Sequence, residues 1–379
     1  MLKVAILGAN GFIGSRAVEM LHLGNIAEVC SIVRNPSSLA RLSRFDLDCR
    51  IADGFDQAAL YGAFQGCDVV VHAIAGDSRT ILGTLAPVYA AAQQAGVRRL
   101  VYLSSASVHG QAPTPGTDET SPLSDRQPIA YNNTKVQAER KLGQLRKQGT
   151  VELVILRPGI VLGPRSYWLT SFVEALLQQQ AYLVNNGQGI CHSIYVDNLI
   201  HAINLSMNAP NVDRQAFIVG DQEQVTWADV YRPVAAAFGI DLDRIPSIAY
   251  TSSSLALEDR IEAVLASKPS LALLSLFPNH WRQAARAAMS VLLRPSVPDE
   301  WQMPQLTKPM PVATLEIALL QQCQYKLPST KAEQLLGYSP IVPFTESCRR
   351  SIAWLKFAGF SEINSCKHDD ESLALTRGV

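Results

Sequence analysis

The segment Gly8-Ala9-Asn10-Gly11-Phe12-Ile13-Gly14 decides the fold of this 379-residue chain. The apolar run over residues 2–7 predicts a buried strand before it, and apolar residues at helical spacing predict a helix after it, as far as Gly24. A strand, a glycine-rich turn and a helix form the setting in which spaced glycines bind a dinucleotide. Gly8 allows the tight turn, Gly11 lets a pyrophosphate approach the backbone, and Gly14 lets helix and strand pack closely. The phosphates would lie at the positive end of the helix.

Strands and helices alternate after this segment, which predicts a doubly wound parallel sheet of the Rossmann type. We expect residues 1–165 to form the NAD(P)-binding domain, with residues 190–220 returning to it. A smaller, mainly helical substrate domain is expected over 166–189 and 221–360. The predicted strands are 27–33, 47–52, 67–74, 99–103 and 151–156, and the predicted helices are 81–95, 130–147, 168–180 and 227–238.

The composition indicates an ordinary globular protein and excludes several classes of partner. Hydrophobic residues make up 47% of the chain, and the formal net charge is zero, which removes the electrostatic argument for nucleic acid. Seven cysteines without metal-ligand spacing predict no metal site and a reducing compartment. No N-terminal signal pattern and no apolar run of about 20 residues is present, so we expect a cytoplasmic protein without a transmembrane span.

The ends of the second and third strands bear on the choice of cofactor. Arg34 follows the second strand, where an acidic residue would bind the ribose hydroxyls of NAD and a basic one pairs with the 2′-phosphate of NADP. The sequence therefore favours NADP(H) and keeps NAD(H) as the alternative. Asp53 and Gly54 follow the third strand, where Asp53 is placed either to bind the adenine amino group or to cap the next helix.

Catalytic chemistry is expected where the later strands end. Ser104 and Ser105 close the fifth strand, and Tyr131 and Lys135 occur in YNNTK at the start of a helix. A spacing of four puts Tyr131 and Lys135 on one helical face, where an ammonium would lower the pKa of the phenol. A serine hydroxyl could then hold the substrate oxygen while Tyr131 moves its proton and a hydride is transferred to nicotinamide.

Together these motifs make the chain similar to the extended short-chain dehydrogenases/reductases, the NAD(P)-dependent epimerase/dehydratase family. The matching segments are GANGFIG (8–14), HAIAG (72–76), LVYLSSASVHG (100–110), YNNTK (131–135), LRPGIVLGPR (156–165) and HSIYVDNLIHA (192–202). The resemblance implies catalytic roles for Ser105, Tyr131 and Lys135, the last of which would also hold the nicotinamide ribose. Including those named above, the positions expected to contact cofactor are Gly8, Asn10, Gly11, Phe12, Ile13, Gly14, Arg34, Asp53, Gly54, Ala73, Ile74, Ala75, Ser104, Tyr131, Lys135, Pro158, Gly159, Ile160 and Val161.

Substrate contacts are expected at Ser107, His109 and Arg165, with Arg165 as the candidate for a substrate diphosphate. His109, in place of the family's usual tyrosine, is the position most readily explained by packing alone. Ala106 and Ser107 stand where the family's 4,6-dehydratases carry an Asp-Glu pair, which argues against sugar 4,6-dehydration.

Three functions are compatible with these motifs. The first is a nucleotide-sugar epimerase or ketoreductase, which the sequence favours. The second is a dehydrogenase or reductase of a hydroxysteroid or other lipophilic alcohol, and the third is a non-catalytic NADP-binding regulator. The intact Ser105, Tyr131 and Lys135 argue against the regulator.

Three further expectations concern the less readable parts of the chain. Residues 248–310 do not fit the family pattern, and their mixture of apolar residues and arginines indicates an extra packed helical hairpin in preference to a helix on a membrane surface. Residues 361–379 are polar and predict a flexible tail. The family resemblance also implies a homodimer acting on a small-molecule substrate.

Overall fold

The computed structural model describes residues 1–248 and 314–360. Beyond its first residue, Ile248, the predicted insert at 248–310 lies outside the described residues, as does the predicted tail at 361–379.

The predicted parallel sheet is confirmed. Seven strands lie in the order β11-β6-β5-β4-β1-β2-β3, and each neighbouring pair is parallel. The remaining strands form short two-stranded pairs outside this sheet. The strands are β1 (Lys3–Leu7), β2 (Glu28–Val33), β3 (Asp48–Ile51), β4 (Val69–His72), β5 (Arg99–Leu103), β6 (Glu152–Pro158), β7 (Ile160–Leu162), β8 (Leu183–Val184), β9 (Ile190–Cys191), β10 (Ser193–Tyr195), β11 (Gln215–Val219), β12 (Val225–Thr226) and β13 (Ser247–Ile248).

Helices connect the strands and cover both faces of the sheet. They are α1 (Phe12–Leu23), α2 (Gln57–Phe64), α3 (Ser78–Gly83), α4 (Leu85–Gln94), α5 (Ala130–Gln148), α6 (Tyr167–Leu177), α7 (Val196–Asn208), α8 (Trp227–Ala237), α9 (Leu315–Leu320), α10 (Thr330–Leu336) and α11 (Phe344–Phe357). The single helix predicted over 81–95 is two helices that meet at Thr84. The Thr84 hydroxyl donates to the Thr80 carbonyl within the preceding turn, a bond that commonly bends a helix.

Burial on both faces explains why the central strands are almost continuously apolar. Val69, Val70 and Val71 of β4 are all fully buried, with alternate side chains packing into two separate cores. Parallel strands that are covered by helices on both sides require this pattern. In a strand with one solvent-exposed face, apolar and polar residues would alternate. β11 lies beside β6 at the edge of the sheet, so the chain does return to the sheet after residue 190.

A third core forms the smaller, C-terminal part. It packs α6 against α8, with the rings of Phe172 and Tyr231 stacked 3.7 Å apart. Trp227 is fully buried beside them, and its indole N–H donates to the Leu320 carbonyl of α9. In the described ranges, no helix is long and apolar enough to cross a membrane.

Candidate active site

The glycine-rich loop forms a backbone cradle that a side chain would fill. Gly8 has φ +90°, a conformation that residues with a Cβ rarely adopt. A Cβ on Gly14 would lie 2.2 Å from the Gly8 carbonyl oxygen, so α1 and the end of β1 approach as closely as glycine permits. No side chain caps the N-terminus of α1 at Gly11. The N-terminal N–H groups of α1 therefore suit a phosphate, and these residues fit a dinucleotide.

Three arginines surround this cradle. Arg34 is exposed at the end of β2. The Arg41 guanidinium donates to the Asn10 carbonyl (3.2 Å), and that of Arg165 donates to the Ser15 hydroxyl in the first turn of α1 (3.0 Å). Arg165 thus contacts the first turn of α1, and its role with a substrate diphosphate stays a prediction. Arg41 was missed by the sequence analysis, because it lies in a loop that matches no motif.

The ends of β3 and β4 form the neighbouring wall. Asp53 is exposed, and its carboxylate accepts the N–H of Phe55, while Asp56 caps α2. Gly54 faces Ile74: a Cβ there would lie 2.9 Å from the Ile74 Cδ1 atom. A Cβ on Gly8 would lie equally close to the Ala73 carbonyl oxygen, so Ala73 and Ile74 border the glycine loop. The contact of Ala73, Ile74 and Ala75 with a cofactor stays a prediction.

Ser105, Tyr131 and Lys135 are brought together at the end of β5 and the start of α5. Ser105 interacts with the Tyr131 phenol, whose pKa it lowers, and the Ser105 hydroxyl lies 2.9 Å from the Ser107 hydroxyl. The Lys135 ammonium lies 5.8 Å from the centre of the Tyr131 ring and donates to the Leu103 carbonyl (2.8 Å). Lys135 is only 3% exposed, which is rare for a lysine and points to a functional role.

The pKa of Tyr131 differs from the expectation. The sequence predicts a lowered value, whereas burial raises the pKa to about 12, partly offset by the hydrogen bond with Ser105. Burial lowers the pKa of Lys135 to about 8, against a smaller opposite effect of Glu139. Tyr131 as a whole residue is 41% exposed. In the chain by itself, desolvation therefore decides the direction of the shift in the pKa of Tyr131.

Ser104 and His109 belong to a buried polar network behind the catalytic residues. The Ser104 hydroxyl donates to Glu139 (2.5 Å), and Arg157 forms a buried ion pair with the same carboxylate (2.7 Å). The Arg157 guanidinium also lies 3.1 Å from His109, and burial, with the charge of Arg157, lowers the pKa of that imidazole to about 4. The Nδ1 atom of His109 has no hydrogen-bond partner among the described residues, and the contacts predicted for Ser104 and His109 stay predictions.

Three residues of the predicted segment 158–161, namely Pro158, Gly159 and Ile160, border a small pocket that contains Ser105, and Val161 is not part of its lining. Strand β7 pairs with β10, which places Gly159 and Ile160 beside His192. Ser105, Ser107, Pro158, Gly159, Ile160 and His192 line this pocket together with Gln111. The residues expected to face the nicotinamide are therefore next to the candidate catalytic serine.

A much larger cavity of about 690 Å³ opens at the start of α5, where Ala130, the residue before Tyr131, belongs to its wall. Residues of α6, α8 and α9 form much of the rest of that wall. Its wall is mainly aromatic and aliphatic: Ile129, Ala130, Tyr167, Trp168, Phe172, Tyr182, Tyr231, Leu315 and Ile317. Of the described residues that line it, none is basic and Glu316 is the one acidic residue. Such a volume and composition suit a small lipophilic ligand. The sequence analysis missed this cavity, because its residues come from four distant parts of the chain without a shared motif.

The comparisons with known proteins agree with this arrangement. The model of the NAD dependent epimerase/dehydratase family matches residues 4–220. A 3-beta-hydroxysteroid dehydrogenase of Mycolicibacterium neoaurum is 32% identical over 270 residues, which cover 64% of this chain and 72% of the relative. A UDP-glucose 4-epimerase of Vibrio cholerae is 27% identical over 264 residues, which cover 62% of this chain and 75% of the relative.

A solved structure shows the same fold. The UDP-glucuronic acid 4-epimerase of Bacillus cereus, in complex with UDP-glucuronic acid and NAD, has a TM-score of 0.66 at 16% identity, covering 94% of this chain and 100% of that one. The chain belongs to the NAD dependent epimerase/dehydratase family. Within it, the chain is an NAD(P)-dependent oxidoreductase/epimerase that transfers a hydride at a hydroxyl or keto carbon.

Proposed function

We propose that the chain is a dehydrogenase or ketone reductase of a lipophilic, uncharged secondary alcohol of the hydroxysteroid type. The observation that carries this proposal is the cavity beside Tyr131, which is lined by aromatic rings and, in its described part, by no basic residue. A nucleotide diphosphate carries at least two negative charges, and burying them without a cationic partner is costly. The relatives named as hydroxysteroid dehydrogenases support the same substrate class.

Ser105, Tyr131 and Lys135 have distinct roles in this proposal. Ser105 holds the substrate oxygen, and Tyr131 moves the proton between that oxygen and the protein. Lys135 stabilises the Tyr131 phenolate and holds the cofactor ribose. A bound nicotinamide supplies the hydride donor or acceptor. The oxidation rate is expected to rise with pH, because the proton acceptor is the deprotonated phenol.

We propose that the cofactor is NADP(H). Arg34 at the end of β2 is exposed and available for a 2′-phosphate, and Arg41 adds a second guanidinium beside Asn10. Both residues lie on the side of the cradle where the adenosine end of a dinucleotide would bind. Charge-assisted, bidentate contacts of this kind distinguish a phosphate from a hydroxyl.

Nucleotide-sugar chemistry, which the sequence alone favoured, is kept as the second candidate. It is supported by the similarity to the UDP-glucose 4-epimerase of Vibrio cholerae. The two candidates predict different substrates in one assay: 3β-hydroxysteroids and UDP-sugars are each supplied with NADP or NAD, and nicotinamide reduction or epimer formation is measured. Turnover of the steroids supports the proposal, and turnover of the UDP-sugars alone contradicts it.

We also keep two weaker expectations as proposals: a homodimer, which the family resemblance supports, and a cytoplasmic location, which the cysteine usage supports. Light scattering in solution tests the first, and cell fractionation tests the second.

A further inference from the structure

We infer that Glu316, held by Gln111, determines substrate specificity by accepting a hydrogen bond from a neutral substrate and by excluding substrates with an anionic group near the reacting carbon. This inference rests on the proposed function, because it takes the cavity beside Tyr131 as the substrate site. It names a chemical property of the substrate that neither the family nor the catalytic motifs specify.

The position of Gln111 is fixed by its neighbours. Its side chain is only 6% exposed and borders the small pocket that contains Ser105 and Ser107. From there its amide donates to the Glu316 carboxylate (3.1 Å). Glu316 in turn lines the large cavity. The Gln111–Glu316 pair therefore lies at the junction of the catalytic pocket and the lipophilic cavity.

The surroundings of Glu316 make its charge unusual. Among the described residues, no cation pairs with this carboxylate, and the Gln111 amide is its one hydrogen-bond donor. The wall around it is formed by side chains such as Ile129, Leu315 and Ile317. Natural proteins rarely keep a carboxylate against apolar surface unless a partner compensates for it. A hydroxyl of the substrate would be such a partner, since each carboxylate oxygen accepts more than one hydrogen bond.

The same charge acts against an anionic substrate. Two like charges about 5 Å apart in a partly buried site reduce binding on the order of 100-fold. A carboxylate on the carbon next to the reacting hydroxyl would introduce such a charge into the site. Glu316 also acts on Tyr131 itself, where its charge raises the pKa of the phenol.

The pH dependence of the oxidation rate provides a second test of the role of Glu316. The groups that face Tyr131 are Ser105 from the loop after β5, Lys135 from its own helix, Glu316 from α9, and the Tyr102 phenol of β5 beyond Lys135. Replacing Glu316 by glutamine removes the negative charge among them. The pKa of Tyr131 should then fall, and the rising limb of the oxidation rate should move to lower pH. A purely structural role for Glu316 would not produce this shift.

The test compares wild type, Glu316→Gln and a matched control, Glu174→Gln. Both variants remove one carboxylate, but Glu174 is exposed on α6 and does not line the cavity. The substrates are two 3β-hydroxysteroids with one skeleton, one of which carries a carboxylate at the adjacent carbon. kcat and KM are measured for both, with NADP or NAD at saturation, over a range of pH.

We expect wild type and Glu174→Gln to prefer the neutral steroid on the order of 100-fold in kcat/KM, and Glu316→Gln to reduce that preference to less than about tenfold, mainly through KM. An unchanged preference in Glu316→Gln, or a wild type that prefers the carboxylate, would overturn the inference. If no steroid is turned over, the proposed function fails by itself. Binding of the same two steroids is then measured by the tryptophan fluorescence, to which Trp168 in the cavity wall contributes. If wild type and Glu316→Gln distinguish the neutral steroid from the carboxylate to the same extent, the inference about Glu316 is overturned.

Discussion

Replacing Lys135 by methionine should stabilise the protein at neutral pH while removing its activity. Burial lowers the pKa of Lys135 from 10.5 to about 8, and each pKa unit corresponds to about 1.36 kcal/mol. The charged side chain therefore costs the folded protein about 3 kcal/mol below pH 8. Methionine fills a similar volume without this cost but leaves the Leu103 carbonyl without its donor, a loss of about 1–2 kcal/mol. We expect a net gain of about 1–2 kcal/mol in the free energy of unfolding at pH 7.

This gain in stability should disappear at high pH, and proton linkage gives the direction of the change. Between pH 8 and 10.5 the unfolded chain holds a proton on Lys135 that the folded chain has lost. The contribution of this residue to wild-type stability therefore rises with pH across that range. Lys135→Met lacks this titrating ammonium. The stability advantage of Lys135→Met over wild type should therefore fall by about 2–3 kcal/mol from pH 7 to pH 10. Other titrating groups are common to both proteins and cancel in the difference.

Urea unfolding of wild type and Lys135→Met, followed by tryptophan fluorescence at several pH values, measures this difference. The reasoning also requires that the more stable variant is the less active one, because Lys135 is proposed to hold the cofactor ribose and to tune Tyr131. A stability difference that does not change with pH would refute the account of Lys135 as a buried, charge-bearing group.

Three further predictions follow from the same geometry. Tyr131→Phe should lower kcat by about 10²–10⁴ while cofactor affinity, measured by titration, stays within about twofold, because only the proton-transfer group is lost. Arg34→Asp should weaken NADPH binding by about 1–3 kcal/mol and leave NADH binding little changed; a wild type that binds NADH more tightly would exclude the role of Arg34. Gly14→Ala should abolish cofactor binding, because its Cβ would lie 2.2 Å from the Gly8 carbonyl. The control Gly143→Ala, in an open part of α5, should bind normally and gain about 0.5–1 kcal/mol of stability.

The motifs near the chain's strand ends predicted the cofactor half of the molecule well, because each expresses a local physical requirement. The spacing of Gly8, Gly11 and Gly14 indicates close backbone contacts that only glycine permits. The spacing of four between Tyr131 and Lys135 places both side chains on the same face of one helix. Local spacing was therefore enough to predict which residues are the candidates for catalysis.

The remaining features depend on contacts between distant segments. Gln111 and Glu316 are separated by 205 positions, and nothing local marks either one. The direction of Arg165 is set by its contact with Ser15, 150 positions away, which periodicity does not encode. The pKa of Tyr131 depends on burial by the whole surrounding structure, so a neighbouring charge in the sequence was not enough to predict its direction.

The central claim is that a lipophilic alcohol enters the cavity beside Tyr131 and is oxidised there. The most direct measurement is the initial rate of nicotinamide reduction by wild type and Tyr131→Phe, with a 3β-hydroxysteroid and with a UDP-sugar as the competing substrates. The account predicts steroid-dependent reduction that rises with pH in wild type and is lost in Tyr131→Phe, with no reduction or epimerisation of the UDP-sugar. Steroid oxidation that survives in Tyr131→Phe, or turnover of the UDP-sugar alone, would contradict it.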